Sequence, residues 1–146
     1  MASWRESLSE EAQADVDRTL NEALPFAQQL LDRHGEFFPY AVKMAVSGDI
    51  GVVAADPGQG EHPISTDVLS VLYQGLTLER ETLRATGVVS DVKTGSPPSD
   101  AIRVEIEHRE GAALAVYLPY TKKRFGRGVN YGDIQAASGE RRIWPG

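Results

Sequence analysis

The sequence predicts an α+β domain: one antiparallel sheet of about five strands with two helices on one face, in the order α-β-β-α-β-β-β, ending in an irregular C-terminal segment. Two kinds of pattern carry that reading. A stripe of apolar residues spaced by three and four runs from Leu8 to Leu31, and two stretches, 38–55 and 101–120, alternate apolar and polar residues around turn-forming residues.

The first helix is read from Leu8, Ala12, Val16, Leu20, Ala23 or Leu24, Ala27, Leu30 and Leu31, which fall along one helical stripe. Ser7 followed by Glu10 has the form of a capping box, and Gly35 after His34 is a stop signal. Pro25 cannot donate to the carbonyl of Asn21, so either a kink or two helices meeting there is expected, and the stripe continuing past it favours a kink.

Phe38, Tyr40, Val42, Met44 and Val46 then share one parity, Ser47-Gly48-Asp49 has turn chemistry, and Ile50 to Ala55 is a second apolar run, which together make a first hairpin. The opposite parity, Ala41, Lys43 and Ala45, is mostly small, as where a helix lies close over a sheet. Pro39 puts the start of the strand at or just after it, or makes it an edge there.

Residues 56–65 are dense in glycine and proline and read as a loop. A second helix is expected from a cap at Ser65 or Thr66, with Asp67 near the positive end of its dipole, through Leu69, Leu72, Tyr73, Leu76 and Leu83 to about Ala85. Gly75 weakens it by about 1 kcal/mol relative to alanine. Gly87 to Thr94 reads as a strand with Val88, Ser90 and Val92 on one face, and 95–100 as a loop.

The hairpin over 101–120 can be read down to its register. Ile102, Val104 and Ile106 share a face with Leu114, Val116 and Leu118 only if Ile106 pairs with Leu114, Val104 with Val116 and Ile102 with Leu118. That register is centred on Glu110. It demands a three-residue loop, Arg109, Glu110 and Gly111, whose last position takes a positive φ that glycine tolerates. Beyond Tyr120 the segment 122–134 has three glycines and no sustained period, so 121–146 is expected to be irregular, an ordered loop with a short strand or turn, with Arg141-Arg142-Ile143-Trp144 adding a last strand and Trp144 packed on the body.

With 146 residues the chain fits a single domain, 1–146, in which 1–7 is expected to be flexible. Composition is that of a soluble globular protein, and no apolar run approaches the roughly 20 residues that span a bilayer, so no membrane is expected. Glu6, Glu10 and Glu11 stand where a signal peptide would carry basic residues, and zero cysteines fit a reducing compartment; the expected location is cytoplasmic. A net charge of -6 argues against a nucleic-acid partner bound by phosphate neutralisation.

The element order resembles the roadblock-type and profilin-like arrangement. In small roadblock proteins a helix precedes a hairpin with a polar turn and a valine-alanine return strand, as in Val46-Ser47-Gly48-Asp49-Ile50-Gly51-Val52-Val53-Ala54-Ala55. The segment from His34 to Ala41 is similar to one in small uncharacterised bacterial α+β proteins, a resemblance that implies no activity.

Candidate chemistry is sparse. His34, His62 and His108 could join Glu36 or Asp56 in a metal or acid-base site, but no pair has spacing that puts two ligands on one face, so surface and capping roles are expected, with no metal and no cofactor. Glu105 and Glu107 read as a solvated strand face; if that face meets another protein, Arg103, Glu105 and Tyr117 become interface residues. Lys122, Lys123, Arg124 and Arg127, with Phe125 and Tyr131 interleaved, form a basic, glycine-rich loop that suits an anion, an acidic peptide or single-stranded nucleic acid. No nucleotide-binding glycine pattern and no serine-nucleophile motif is present.

The functional expectation is a non-enzymatic cytoplasmic binding or protein-interaction module, homodimeric through a sheet or helix face. It rests on the apolar first hairpin and on Phe37, Tyr117 and Tyr131 at exposed parity. The alternative is a small enzyme or ligand-binding protein for an anionic molecule, with Lys122, Lys123, Arg124 and Arg127 meeting His34 or His108.

Overall fold

The computed structural model describes residues 8–54, 65–126 and 128–145. Ser7, most of the expected 56–65 loop with His62, and Arg127 therefore lie outside the described residues.

Helix α1 (Glu10–His34) runs unbroken through Pro25 and ends at Gly35, whose φ of 74° is the left-handed conformation and whose N–H returns to the Leu31 carbonyl. Its cap is Ser9, two residues beyond the expected one, with its hydroxyl accepting from the Ala12 N–H at 3.1 Å. Strands β1 (Tyr40–Ala45) and β2 (Ile50–Ala54) form the first hairpin. Helix α2 (Ser65–Glu79) is followed by a 3-10 turn (Arg80–Thr82), then β3 (Leu83–Thr94), β4 (Ser99–His108) and β5 (Ala113–Lys122). Short strands β6 (Val129–Tyr131) and β7 (Gln135–Ser138) complete the described elements.

Among the described residues the sheet has seven strands, not about five. Its order is β2-β1-β3-β4-β5-β6, with β7 also on β5, and every pairing is antiparallel. The element order departs from α-β-β-α-β-β-β because β6 and β7 follow β5. Both lie on the same edge of β5: Tyr120 faces Tyr131 and Tyr117 faces Gln135, so 132–134 stand opposite 118–119. The one extra residue is a bulge-like interruption, which hid the edge from any test of regular period.

The two helices lie on opposite faces of the sheet rather than on one. Tyr40, Val42, Val89, Ile102, Val104 and Ile106 join Ala12, Val16, Ala23, Ala27 and Leu31 of α1 in one core. Ala41 and Val88 join Val68, Leu72 and Leu76 of α2 in another. Neighbouring residues such as Val88 and Val89 are both buried because a strand points them to opposite, covered faces. The small parity at Ala41 does sit beneath a helix, which is α2. Gly87 lets α1 come close on the other side: a Cβ there would lie 3.0 Å from Thr19 Cγ2.

The central hairpin has the register derived from its parity, Ile106 with Leu114, Val104 with Val116 and Ile102 with Leu118. Gly111 takes φ 113°, and the His108 N–H bonds the Ala112 carbonyl across the three-residue loop. Two boundaries moved. Leu83 continues the helical spacing from Leu76, yet α2 ends at Glu79, where the Thr82 hydroxyl bonds the Glu79 carbonyl and turns the chain into β3. Residues 141–144 form no strand: Ile143 is fully buried against α2, held by a side-chain anchor on β4 described below.

Candidate functional site

A buried charge needs a partner to persist, so buried ionisable clusters are where chemistry is sought first. The most enclosed cluster joins α1, β3 and the tip of β4. Asp15 is 3% exposed and His108 2%. Asp15 Oδ1 accepts from Arg84 Nη2 at 2.9 Å and its Oδ2 lies 2.9 Å from His108 Nε2. His108 Nδ1 accepts the Glu110 backbone N–H at 3.1 Å, which assigns the ring proton to Nε2, facing Asp15. The Glu110 carboxylate in turn accepts from the Ser9 hydroxyl at 2.8 Å, which holds it below the usual carboxylate range. Arg84 also donates to the Val46 carbonyl at 3.2 Å. An Asp-His pair has the parts of an acid-base relay, but here both ring nitrogens are engaged and the pair is sealed from solvent. Its work is to lock the N-terminus of α1 to two hairpin ends.

The second cluster occupies the α2 side of β4 and corrects the expectation of a solvated face. Glu107 is 4% exposed, and its carboxylate accepts the backbone N–H groups of Arg142, Ile143 and Trp144 at 2.6–3.1 Å. It is the anchor of the C-terminal segment. Glu105, with a side chain only 14% exposed, lies 3.3 Å from Arg103 and 3.7 Å from Arg142, whose guanidinium stands 4.9 Å over the Tyr73 ring. Burial, then the Glu105 charge, pushes the Tyr73 phenol far above its ordinary range. Arg103 faces Tyr117 across the β4–β5 pair, so the three proposed interface residues do share one face. A groove of about 740 Å³ beside them is walled by Leu69, Tyr73, Thr77 and Leu78 of α2 and by Arg142.

The basic loop is only partly assembled as expected. His34, Lys122 and Lys123 line one concavity of about 340 Å³ at the C-terminal end of α1. Asp32 lines it too, and the helix presents its partial negative charge there, so both oppose a bound anion. Arg124 lies apart, over the exposed Phe125 ring. His108 does not join them. It stands at the turn end of the central hairpin and Lys122 at the open end, about 30 Å away at roughly 3.3 Å per strand residue.

Nearby, the Tyr120 hydroxyl donates to Asp91 at 2.6 Å, and burial holds both groups above their ordinary pKa. Among the described residues no cluster of three or more His, Asp or Glu is arranged to hold a metal ion, and no helix is long and apolar enough to cross a membrane.

Sequence reasoning missed Asp15, Arg84 and the Ser9–Glu110 bond. One signal for Asp15 was available: with Thr19 it sits on the same helical stripe as Ala12, Val16 and Ala23, and a charge in a core-facing stripe implies a buried partner. Of the aromatics read as exposed, Phe37 and Tyr131 pack against the α1 core. The exposed apolar side chains include Val46, Val52 and Leu78. Comparison with protein-family models, with curated proteins and with solved structures returns no significant match.

Proposed function

We propose that this chain is a non-enzymatic protein-interaction module that associates with a second copy of itself through the β1–β2 side of its sheet. One observation carries the reading: β2 is an edge strand with Gly51, Val52 and Ala54 exposed and no charged residue or proline along it. Unguarded apolar edges invite strand pairing, and natural proteins blunt those that must stay single. The opposite edge of this sheet is blunted, being split into β6 and β7 by the interruption at 132–134. The enclosed polar clusters support the same reading, because Asp15, His108 and Glu107 each hold two chain segments together.

Sedimentation velocity over a dilution series tests the reading, with a concentration-dependent dimer as the expected result. A monomer at every concentration overturns it. The second reading, an anion site, is favoured only by the convergence of His34, Lys122 and Lys123. It predicts phosphate-dependent shifts of the His34 ring signals in NMR spectra.

A further inference from the structure

The backbone of β2 narrows self-association to a particular pairing. The Ala45 N–H bonds the Asp49 carbonyl at 2.8 Å, closing the first hairpin. In an antiparallel pair, residues that exchange both backbone bonds alternate with residues that exchange none. Counting from Ala45–Asp49 along the observed register, the bonded pairs are Lys43–Gly51 and Ala41–Val53. Gly51 and Val53 therefore turn their N–H and C=O groups toward β1. Ile50, Val52 and Ala54 turn theirs away, and among the described residues no further strand lies on that side of β2.

We propose that two copies join their sheets by antiparallel β2–β2 pairing about a two-fold axis at Val52. This rests on the reading that the chain self-associates. In that register Val52 faces Val52 of the second copy and Ile50 faces its Ala54. All three outward-directed residues of each strand are then used, for about six hydrogen bonds between backbones. Shifting the axis to Gly51 or Val53 leaves one of the three without a partner inside β2.

Side-chain chemistry agrees with that register. A two-fold contact is self-complementary, so a charge on its axis would meet its own copy. β2 contains none. The nearest, Asp49, would lie about 20 Å from its counterpart, six strand residues away at roughly 3.3 Å each. Ile50, Val52 and Ala54 share the face of their partners Met44, Val42 and Tyr40, so pairing extends an apolar row across the junction. The Tyr40–Ala54 pair would meet Ile50 of the second copy, on the face where Phe26 stands 5.0 Å from the Tyr40 ring.

The test uses the chain's lack of cysteine. Two Val52→Cys copies would have Cα atoms about 5.5 Å apart, within disulfide reach, and should cross-link under mild oxidation. Leu78→Cys, on the exposed face of α2, should not. Val52→Lys sets two ammonium groups against each other and should weaken the dimer by at least about tenfold. Because Val52 is 44% exposed within the single chain, both variants should fold, and circular dichroism checks that they do. If the wild type dimerises while Val52→Lys dimerises equally well and Val52→Cys fails to cross-link, the pairing is wrong and self-association stands. A wild type that stays monomeric removes both.

Discussion

Replacing Asp15 by alanine tests whether the buried cluster at the start of α1 is as dry in solution as its geometry requires. The substitution removes the acceptor of two hydrogen bonds at 2.9 Å and leaves the Arg84 charge and the His108 Nε2 proton facing an apolar cavity. Breaking a buried ion pair from one side costs about 3–5 kcal/mol. Arg84 keeps the Val46 carbonyl and a distant Glu11, and its side chain is 17% exposed, so the lower end, about 3 kcal/mol, applies. Urea denaturation at neutral pH should show that loss with an unchanged slope, and thermal melting should fall by roughly 6–12 °C for a domain of this size. Adding Arg84→Met should recover part of the loss, because much of it is the orphaned guanidinium. A loss under about 1 kcal/mol, with no coupling to Arg84, would refute the argument by showing that water reaches the cluster.

Three further outcomes follow from other contacts. Glu107→Gln puts an amide donor against the N–H groups of residues 142–144; hydrogen-exchange protection of those amides should fall and Trp144 emission should shift to the red. Gly87→Ala should destabilise by about 1–3 kcal/mol through its 3.0 Å approach to Thr19 Cγ2. Adding Thr19→Ser, which keeps the hydroxyl bonded to the Asp15 carbonyl but removes that methyl, should restore most of it in urea midpoints. Asp91 has its folded pKa raised, chiefly by burial, so folding favours its protonated form. Its contribution is present below the unfolded value and lost as pH rises through the folded one, so Asp91→Asn should match or exceed wild-type stability at pH 7, and a marked loss there would contradict that sign.

How much of this was legible in the sequence depended on whether a feature has a period. The α1 stripe and the central hairpin repeat at 3.6 and 2, and the parity of six apolar residues with one glycine was enough to derive the β4–β5 register. Period says nothing about the far face of a strand that is buried on both sides. β3 carries Val88 and Val89 in succession, which marks two covered faces rather than one, and the placement of both helices on a single face failed on that point. Leu83 shows the opposite failure. It satisfied helical spacing after the helix had ended, because Arg80–Thr82 turn the chain without glycine or proline to announce it.

The candidate sites were less legible because their partners are distant along the chain. Glu107 alternates with Ile106 like any solvent-facing residue, and only the return of residues 142–144 buries it. His108 has a polar strand neighbour and a turn beside it, and only Asp15, 93 residues earlier, gives its Nε2 proton an acceptor. Both side chains hold segments that no local pattern defines, the start of α1 and the C-terminal segment. An outward-directed edge is the reverse case: it can be derived from parity and turn length once the hairpin is recognised, because Ala45–Asp49 closure alone decides which backbone groups of β2 face away. The surface proposed to bring two copies together is thus set by the same local rule that built the hairpin, whereas the charged residues that first invite a functional reading are placed by long-range contacts that stabilise the fold.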